Sequence, residues 1–359
     1  MLSYAYYRLP LAKRYTRLLQ HEGVPERILS LEGLNGREGF VVAPFAITDD
    51  CPLLLMYPDE VVELDMPATP VLPDDENMLQ YNAVGSPDGG RGTYHIDFCN
   101  FHAQLEAGEF RKLVLAREEE LRLGETGEPM ALTAERLFLL ACQMYPRLFV
   151  ALVSTPQSGT WLTATPEILL EGDGQHWCTI ALAGTKEVPL LSSEVVKEEE
   201  SGLWSAKNIQ EQRYVATYMV ETLEQFSTDI NEVGPYTVRA GHLVHLRSDF
   251  NFTLPDSTRL GSLLQALHPS PAVCGLPKRE AFQFICRNEF SPRRYYSGFM
   301  GPLHPDGNTH LYVSLRCMQI IGNRLLLYAG GGLLRDSIEE QEWAETEAKL
   351  ETMRRLMNR

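Results

Sequence analysis

Apolar residues recur along the chain in short runs that are bounded by polar and turn-forming residues. In several runs they alternate with other residues, as Leu113 and Leu115 do after Lys112, and a period of two is typical of strands. Gly322-Asn323 separates the last two runs, which predicts a hairpin. Together these patterns predict strands at 111–117, 148–154, 160–164, 176–182, 236–238, 243–252, 295–300, 311–319 and 324–329.

A second set of segments carries apolar residues at the three- and four-residue spacing of one helix face. Val215, Met219 and Leu223 form such a stripe. Because helices fall between groups of strands rather than after every strand, the order of elements favours an α+β fold. The predicted helices are 96–108, 133–145, 205–226, 259–267, 278–287 and 337–359.

The C-terminal helix carries the first candidate chemistry. Ser337 and Glu340 fit a capping box that starts the helix. Glu342, Glu345 and Lys349 follow at spacings of three and four, so they share one face. Two carboxylates one turn apart can hold a hard dication such as Mg²⁺. The competing interpretation is a solvated helix in which Glu345 and Lys349 form an ordinary ion pair.

Composition and charge exclude several classes of function. The 359 residues carry a formal net charge of −16, and such a surface repels nucleic acid and anionic membranes. No apolar window is long enough to cross a bilayer. The seven cysteines are scattered and form no CxxC pair, which argues for free thiols in a reducing cytoplasm and against a disulfide framework or a zinc site.

Charged residues also adjoin turns at the ends of apolar strands, where side chains can face a cleft. Each one alone is more often a surface charge or a structural ion pair than a catalytic group. His245 lies within an apolar strand, so a buried core histidine competes with a role in a site. Gly184-Thr185 could expose backbone N–H groups to a ligand or simply form a turn. The charged candidates are Lys112, Glu167, Glu211, Arg293, Arg316, Glu342, Glu345 and Lys349.

An ordered series of short motifs resembles the chorismate-binding enzymes, which include isochorismate synthases, salicylate synthases and the large subunits of anthranilate and aminodeoxychorismate synthases. The resemblance covers about residues 97–359. It implies one α+β domain of two stacked antiparallel sheets with flanking helices over residues 1–359, with a divergent part at 1–95 and a motif-bearing core at 96–359. The motifs are Lys112-Leu-Val-Leu-Ala-Arg117, Thr165-Pro-Glu-Ile-Leu-Leu170, Ala181-Leu-Ala-Gly-Thr185, Lys207-Asn-Ile-Gln-Glu-Gln212, His245-Leu-Arg-Ser248, His268-Pro-Ser-Pro-Ala-Val-Cys-Gly275, Glu289 to Gly298, Ser314-Leu-Arg316, Gly330-Gly-Gly332 and Ser337 to Lys349.

Two positions point to the isochorismate synthase branch. Lysine at position 112 is similar to the water-activating lysine of isochorismate and salicylate synthases, where the amine-transferring relatives typically carry glutamine. Ala183 stands where aminodeoxychorismate synthases carry a nucleophilic lysine. The alternatives left open are a salicylate synthase, an anthranilate or aminodeoxychorismate synthase component I, and a homologue that binds without catalysis.

The resemblance also implies roles for individual residues. Lys112 takes a proton from the water that attacks C2 of chorismate, and protonated Glu167 donates to the departing C4 hydroxyl. Mg²⁺ is held by Glu211 and Glu345, and by Glu342 through water. The residues implied to contact the substrate are Arg316, which binds a carboxylate, and Gly184, Thr185, His245, Ala272, Tyr296, Gly330, Gly331 and Lys349.

Some features depart from the family pattern or stay open. Gln212 replaces the usual histidine after Glu211, and Asn208 replaces an acidic residue of several members, which puts the metal affinity in question. The expected product feeds menaquinone or siderophore synthesis. We expect a cytoplasmic monomer or homodimer that needs no glutaminase subunit.

Overall fold

The computed structural model describes residues 2–67, 81–84, 89–123, 130–187, 204–240 and 243–357. Within these ranges the chain forms six α-helices: α1 (Arg91–Glu106), α2 (Met130–Met144), α3 (Ala206–Leu223), α4 (Leu260–Leu267), α5 (Lys278–Asn288) and α6 (Glu339–Arg354). The strands of the same ranges are β1 (Ser3–Arg8), β2 (Arg14–Gln20), β3 (Glu26–Ile28), β4 (Gly39–Ala43), β5 (Leu53–Met56), β6 (Glu60–Asp65), β7 (Tyr81–Val84), β8 (Lys112–Leu123), β9 (Phe149–Thr155), β10 (Gly159–Thr165), β11 (Ile168–Gly172), β12 (His176–Glu187), β13 (Asn231–Ala240), β14 (Leu243–Thr253), β15 (Gly275–Leu276), β16 (Phe299–Leu303), β17 (Thr309–Val313), β18 (Cys317–Ile321) and β19 (Arg324–Leu333).

The strands form two antiparallel sheets, which confirms the predicted fold class. In the described residues the first sheet has the order β15-β8-β19-β18-β10-β9-β1-β2-β6, with β7 also paired to β8. The second has the order β13-β14-β12-β11-β17-β16-β4-β5-β3. Strands from before residue 95 therefore extend both sheets.

A layer of buried side chains joins the two sheets. Phe149 of β9 stacks on Tyr312 of β17 with ring centroids 4.3 Å apart. Further apolar clusters fill the outer faces: α3 and α4 pack on the second sheet, and α2 and α6 pack on the first. Such alternation of apolar layers is what two half-buried sheets and their covering helices require.

One predicted strand is wrong in an informative way. The run 311–319 reads as a single strand, but β17 ends at Val313 in the second sheet and β18 begins at Cys317 in the first. The chain crosses between the sheets at residues 314–316, and Arg316 adopts a left-handed φ of 47° there. The predicted strand 295–300 also starts late, at Phe299. The hairpin at Gly322-Asn323 is confirmed by the pairing of β18 with β19.

The predicted capping box of the last helix is also wrong. The N-cap of α6 is Ile338, and it makes no side-chain capping bond. Instead, the Ser337 hydroxyl accepts a hydrogen bond from the Leu334 N–H at 2.9 Å. The side chain therefore closes the turn before the helix, which the letter pattern alone does not distinguish from a cap. By contrast, Ser205 caps α3 as the predicted start of that helix implies.

No described helix is long and apolar enough to cross a membrane.

Candidate active site

The centre of the site is a buried ion pair between β8 and α3. Lys112 is the first residue of β8 and has no exposed surface. Its Nζ lies 2.8 Å from Oε1 of Glu211, which projects from the second turn of α3. Burial by itself raises the pKa of Glu211, but the charges of Lys112, Lys207 and Lys349 together outweigh it and lower that pKa.

The two other predicted metal ligands also have lysine partners. Glu342, in the first turn of α6, contacts the ammonium of Lys207 on α3. One turn later, Glu345 accepts a hydrogen bond of 2.7 Å from Lys349, whose ammonium also donates to the Gly330 carbonyl at 2.7 Å. Three carboxylates thus face three ammonium groups, which balances the charge of a largely buried cluster.

The carboxylates converge on two glycines of β19. A Cβ at Gly332 would lie 2.1 Å from Oε1 of Glu211 and 3.0 Å from Cε of Lys112. One at Gly331 would lie 3.4 Å from Oε2 of Glu342. A side chain at Gly332 would force the Glu211 carboxylate and the Lys112 ammonium out of their observed positions, because real Cβ atoms do not approach other atoms that closely. The Gly330-Gly331-Gly332 run therefore gives two helices access to one point of the sheet.

The donor set suits Mg²⁺, because three carboxylates around a cradle without side chains offer only oxygen ligands. Across the described residues, however, no group of three or more His, Cys, Asp or Glu side chains is arranged so that it could hold a metal ion as it stands. The reason is visible in the contacts: each carboxylate is turned toward its lysine. The carboxylate oxygens of these residues are suitable Mg²⁺ ligands. To bind the ion together, Glu211, Glu342 and Glu345 must turn away from their lysine partners.

Glu167 is a buried acid on the turn between β10 and β11. Its residue is 3% exposed, and burial raises the pKa of its carboxyl to about 7, against the opposing charges of Lys112, Lys349 and Arg316. A carboxyl with such a pKa carries a proton over much of the neutral range, as a general acid must. The prediction that Glu167 is protonated agrees with this shift.

Arg316 is oriented by His245. The imidazole Nδ1 lies 3.0 Å from the Gly184 carbonyl, which can only accept, so Nδ1 carries the hydrogen. The other nitrogen, Nε2, then accepts from the Arg316 guanidinium. Burial lowers the pKa of Arg316 to about 10, so it stays cationic at neutral pH. His245 is thus a buried histidine within a site, which joins the two interpretations of its sequence position.

These groups surround one pocket between the sheets. Of the fourteen predicted site residues, all but Lys112, Gly331 and Glu342 line it. Lys112 contacts the lining residue Glu211, Gly331 lies between the lining residues Gly330 and Gly332, and Glu342 contacts Lys207. Lining residues that the sequence did not single out are Val114, Pro166, Leu182, Val273, Leu315, Tyr328 and Ala329. The predicted site residues that line the pocket are Glu167, Gly184, Thr185, Glu211, His245, Ala272, Tyr296, Arg316, Gly330, Glu345 and Lys349.

Arg293 has a structural role, which agrees with the interpretation that a single charged residue is more often part of a structural ion pair than a catalytic group. Its guanidinium pairs with Glu289 at 2.6 Å and donates to the carbonyls of Val273 and Val114. These bonds brace two walls of the pocket from behind. Gln212 is also structural: it donates to the Ala181 carbonyl at 3.1 Å rather than toward the carboxylates.

Lys207 is the charged residue that the sequence interpretation left without a role. Its spacing of four from Glu211 on one helix was the available signal. Its contact with Glu342, 135 residues away, was not readable from that spacing. A larger cavity of about 1110 Å³ lies elsewhere, but Lys13, Arg14, Glu38, His304 and Asp306 on its rim are exposed, so it lacks buried reactive groups.

Comparison with known proteins identifies the family. Residues 87–358 match the family model described as chorismate binding enzyme, and the chain belongs to this family. It is 30% identical over 299 residues to isochorismate synthase DhbC of Bacillus subtilis, covering 78% of this chain and 74% of that protein. It is 32% identical over 205 residues to isochorismate synthase EntC of Escherichia coli K12, covering 56% of this chain and 52% of EntC.

The chain thus matches about half the length of EntC. A solved structure titled as a putative 2,3-dihydroxybenzoate-specific isochorismate synthase from Bacillus anthracis shares the fold. Its TM-score is 0.83 at 22% sequence identity, and the match covers 99% of this chain and 96% of that one. This likeness extends through the N-terminal strands, where the family model does not reach.

Proposed function

We propose that the protein is an isochorismate synthase, which isomerises chorismate by adding water at C2 and removing the C4 hydroxyl. The observation that carries the proposal is the presence of two buried groups: Lys112, which contacts the pocket residue Glu211, and Glu167, an acid on the pocket wall whose pKa is raised to about 7. The relatives named as isochorismate synthases support the same assignment.

Charge explains how an acidic protein holds a dianionic substrate. Arg316 presents a planar guanidinium, which suits a carboxylate. Glu211 and Glu345 directly, and Glu342 through water, are proposed to hold Mg²⁺. When bound, this ion supplies positive charge to the ring carboxylate. Lys349, which lines the pocket beside Gly330, adds a further cation.

The proton transfers fall to two residues. Lys112, in its uncharged form, accepts a proton from the water as its oxygen bonds to C2. Glu167 gives its proton to the C4 oxygen, so that the leaving group departs as water. One water enters and one leaves, and the substrate is isomerised without any net gain of atoms. The apolar walls at Val114, Leu182 and Val273 exclude other water from the ring.

The alternatives differ in what happens after this step. A salicylate synthase also eliminates pyruvate in the same pocket. A component I of anthranilate or aminodeoxychorismate synthase uses ammonia in place of water, which Lys112 disfavours. On the pocket wall, Ala183 stands where the aminodeoxychorismate synthases carry a nucleophilic lysine. A non-catalytic homologue is disfavoured because Lys112, Glu167, Glu211, Arg316 and Glu345 are all present.

Product analysis tests the proposal. The protein is incubated with chorismate and Mg²⁺, with and without ammonium, and the products are separated by chromatography. Isochorismate as the sole product supports the proposal. Salicylate or an ammonia-dependent aromatic amine identifies one of the rivals, and retained binding without turnover identifies a non-catalytic homologue.

We also propose a cytoplasmic location and a product that enters menaquinone or siderophore synthesis. Support for the location comes from the cysteines, all seven of which are free thiols.

A further inference from the structure

Lys207 takes no part in the proposed reaction, yet its ammonium contacts Glu342, one of the three carboxylates of the acidic cluster. It stands at the start of α3, one turn before Glu211, and reaches across to Glu342 on α6. The carboxylates whose charges act on it are Glu342, Glu211 and Glu345. These are the same three groups that are proposed to hold Mg²⁺.

The three lysines of the cluster differ in their freedom to leave. The Lys112 side chain is 0% exposed, so its ammonium cannot swing out into bulk solvent without moving its neighbours. Lys349 is 19% exposed and is also bonded to the Gly330 carbonyl. Lys207 is 25% exposed, while its partner Glu342 is only 2% exposed. A long flexible stem lets an ammonium at the edge of a site swing outward without disturbing the backbone.

We propose that Lys207 is a built-in cation that occupies Glu342 in the metal-free protein and competes with the divalent cation for it. The inference rests on the proposed function only through the position of its metal site. A dication and an ammonium on one carboxylate repel each other strongly in a partly buried place. Metal binding therefore displaces the Lys207 ammonium, and part of the binding free energy of the metal is lost in breaking the pair.

The arrangement also explains how the acidic cluster is stabilised when no metal is bound. Three carboxylates that converge on Gly331 and Gly332 repel one another when no cation is present. Until a metal binds, the Lys207 ammonium supplies the positive charge that compensates the Glu342 carboxylate. Its removal is then expected to have opposite effects on the two states: the metal-free protein becomes less stable, and the metal binds more tightly.

The test is metal binding without chorismate. Lys207→Met keeps the stem and removes the charge, and Lys207→Arg keeps a charge. Mg²⁺ affinity is measured by isothermal titration calorimetry, Mn²⁺ affinity by the loss of its free electron paramagnetic signal, and melting temperature with and without metal. We expect Lys207→Met to bind Mg²⁺ at least about tenfold more tightly than the wild type. Its melting temperature should be lower without metal and should recover at saturating metal.

Controls separate this effect from general damage. Lys13→Met, at an exposed lysine, should change neither affinity nor melting temperature. If Lys207→Met folds poorly, Lys207→Gln, which can still bond to Glu342, replaces it. Unchanged or weaker metal binding in folded Lys207→Met or Lys207→Gln overturns the proposal, and so does the absence of metal binding in both the wild type and these variants. Because no substrate is present, a chain that makes no isochorismate can still pass this test, and an active synthase can fail it.

Discussion

The ammonium of Lys112 lies 2.8 Å from the carboxylate of Glu211. The proposed base and a proposed metal ligand therefore form a single buried ion pair between β8 and α3, although the two residues lie almost 100 positions apart in the chain. Such a pair couples the positions of the two groups. A change at either residue is expected to affect the other, and the predictions below separate these effects.

Lys112→Ala should reduce kcat by roughly 10²–10⁴-fold, the usual contribution of a general base. Substrate binding should remain largely intact, because Arg316 and Lys349, which are proposed to contact the substrate, are unchanged. Steady-state kinetics and direct binding of chorismate measure the two effects. Lys13→Ala is the matched control at an exposed lysine. Activity within about tenfold of the wild type would show that Lys112 is not the base.

Loss of Lys112 should also destabilise the protein. Breaking a buried pair by removing one partner costs about 3–5 kcal/mol, because the other charge stays buried without compensation. Lys112→Met should therefore melt well below the wild type, and the double variant Lys112→Met with Glu211→Gln should regain much of the loss. Thermal denaturation of the single and double variants checks this. Equal melting temperatures for the two would argue against coupling between these residues.

Glu167 predicts a specific dependence on pH. Its pKa is raised to about 7 by burial, so the acid form that donates the proton is lost as pH rises through that value. kcat should fall on the alkaline side of about pH 7 if Glu167 is the acid. Glu167→Gln should lose most activity at every pH, and a wild-type kcat that stays level to high pH would assign the acid to another group.

The same shift predicts a change in stability. The carboxyl has a reference pKa of 4.5 and a folded value of about 7, so the folded protein binds more protons between these values. Its contribution to stability is thus present below about pH 4.5 and is lost as pH rises through about 7. Glu167→Gln cannot lose a proton, so its melting temperature should exceed the wild type by more at about pH 8 than at about pH 5. An equal difference at both pH values would contradict the assigned shift.

Arg316 should control substrate affinity. Arg316→Lys keeps the charge but loses the planar fork and the contact with Nε2 of His245. KM for chorismate should rise by about tenfold or more, with a smaller change in kcat. Arg14→Lys, at an exposed arginine, is the control. If kcat falls while KM is unchanged, Arg316 acts in the chemical step rather than in binding.

The effects of glycine-to-alanine replacements on activity and stability should follow the distance from the added Cβ to its nearest neighbouring atom. Gly332→Ala places a methyl group 2.1 Å from Oε1 of Glu211 and should cost activity and about 1–3 kcal/mol of stability. Gly331→Ala, with 3.4 Å to Oε2 of Glu342, should have a smaller effect. Gly307→Ala meets its nearest atom at 3.5 Å, far from the site, and serves as the control. Activity and melting temperature should follow this order. An inverted order would contradict the close approach of the carboxylates to Gly331 and Gly332.

The sequence by itself determined the fold class and most of the pocket. Period-two runs and the hairpin signal at Gly322-Asn323 reflect local backbone physics, which does not depend on distant partners. The spacing of Glu342, Glu345 and Lys349 likewise follows from helix geometry. The identity of the pocket residues came from the ordered motifs, because each motif marks a place where the chain faces the cleft.

Only the tertiary structure decided how the charges pair. Lys112 with Glu211 and Lys207 with Glu342 join elements far apart in the chain, and no local pattern specifies which ammonium reaches which carboxylate. The sequence did not predict that the chain crosses between the sheets at Arg316, for a similar reason. Both halves of 311–319 are apolar strands, and their assignment to different sheets depends on packing between the sheets. The partner that a long side chain contacts, and the sheet that a strand joins, depend on which elements lie close together in three dimensions. The spacing of residues along the chain does not specify this.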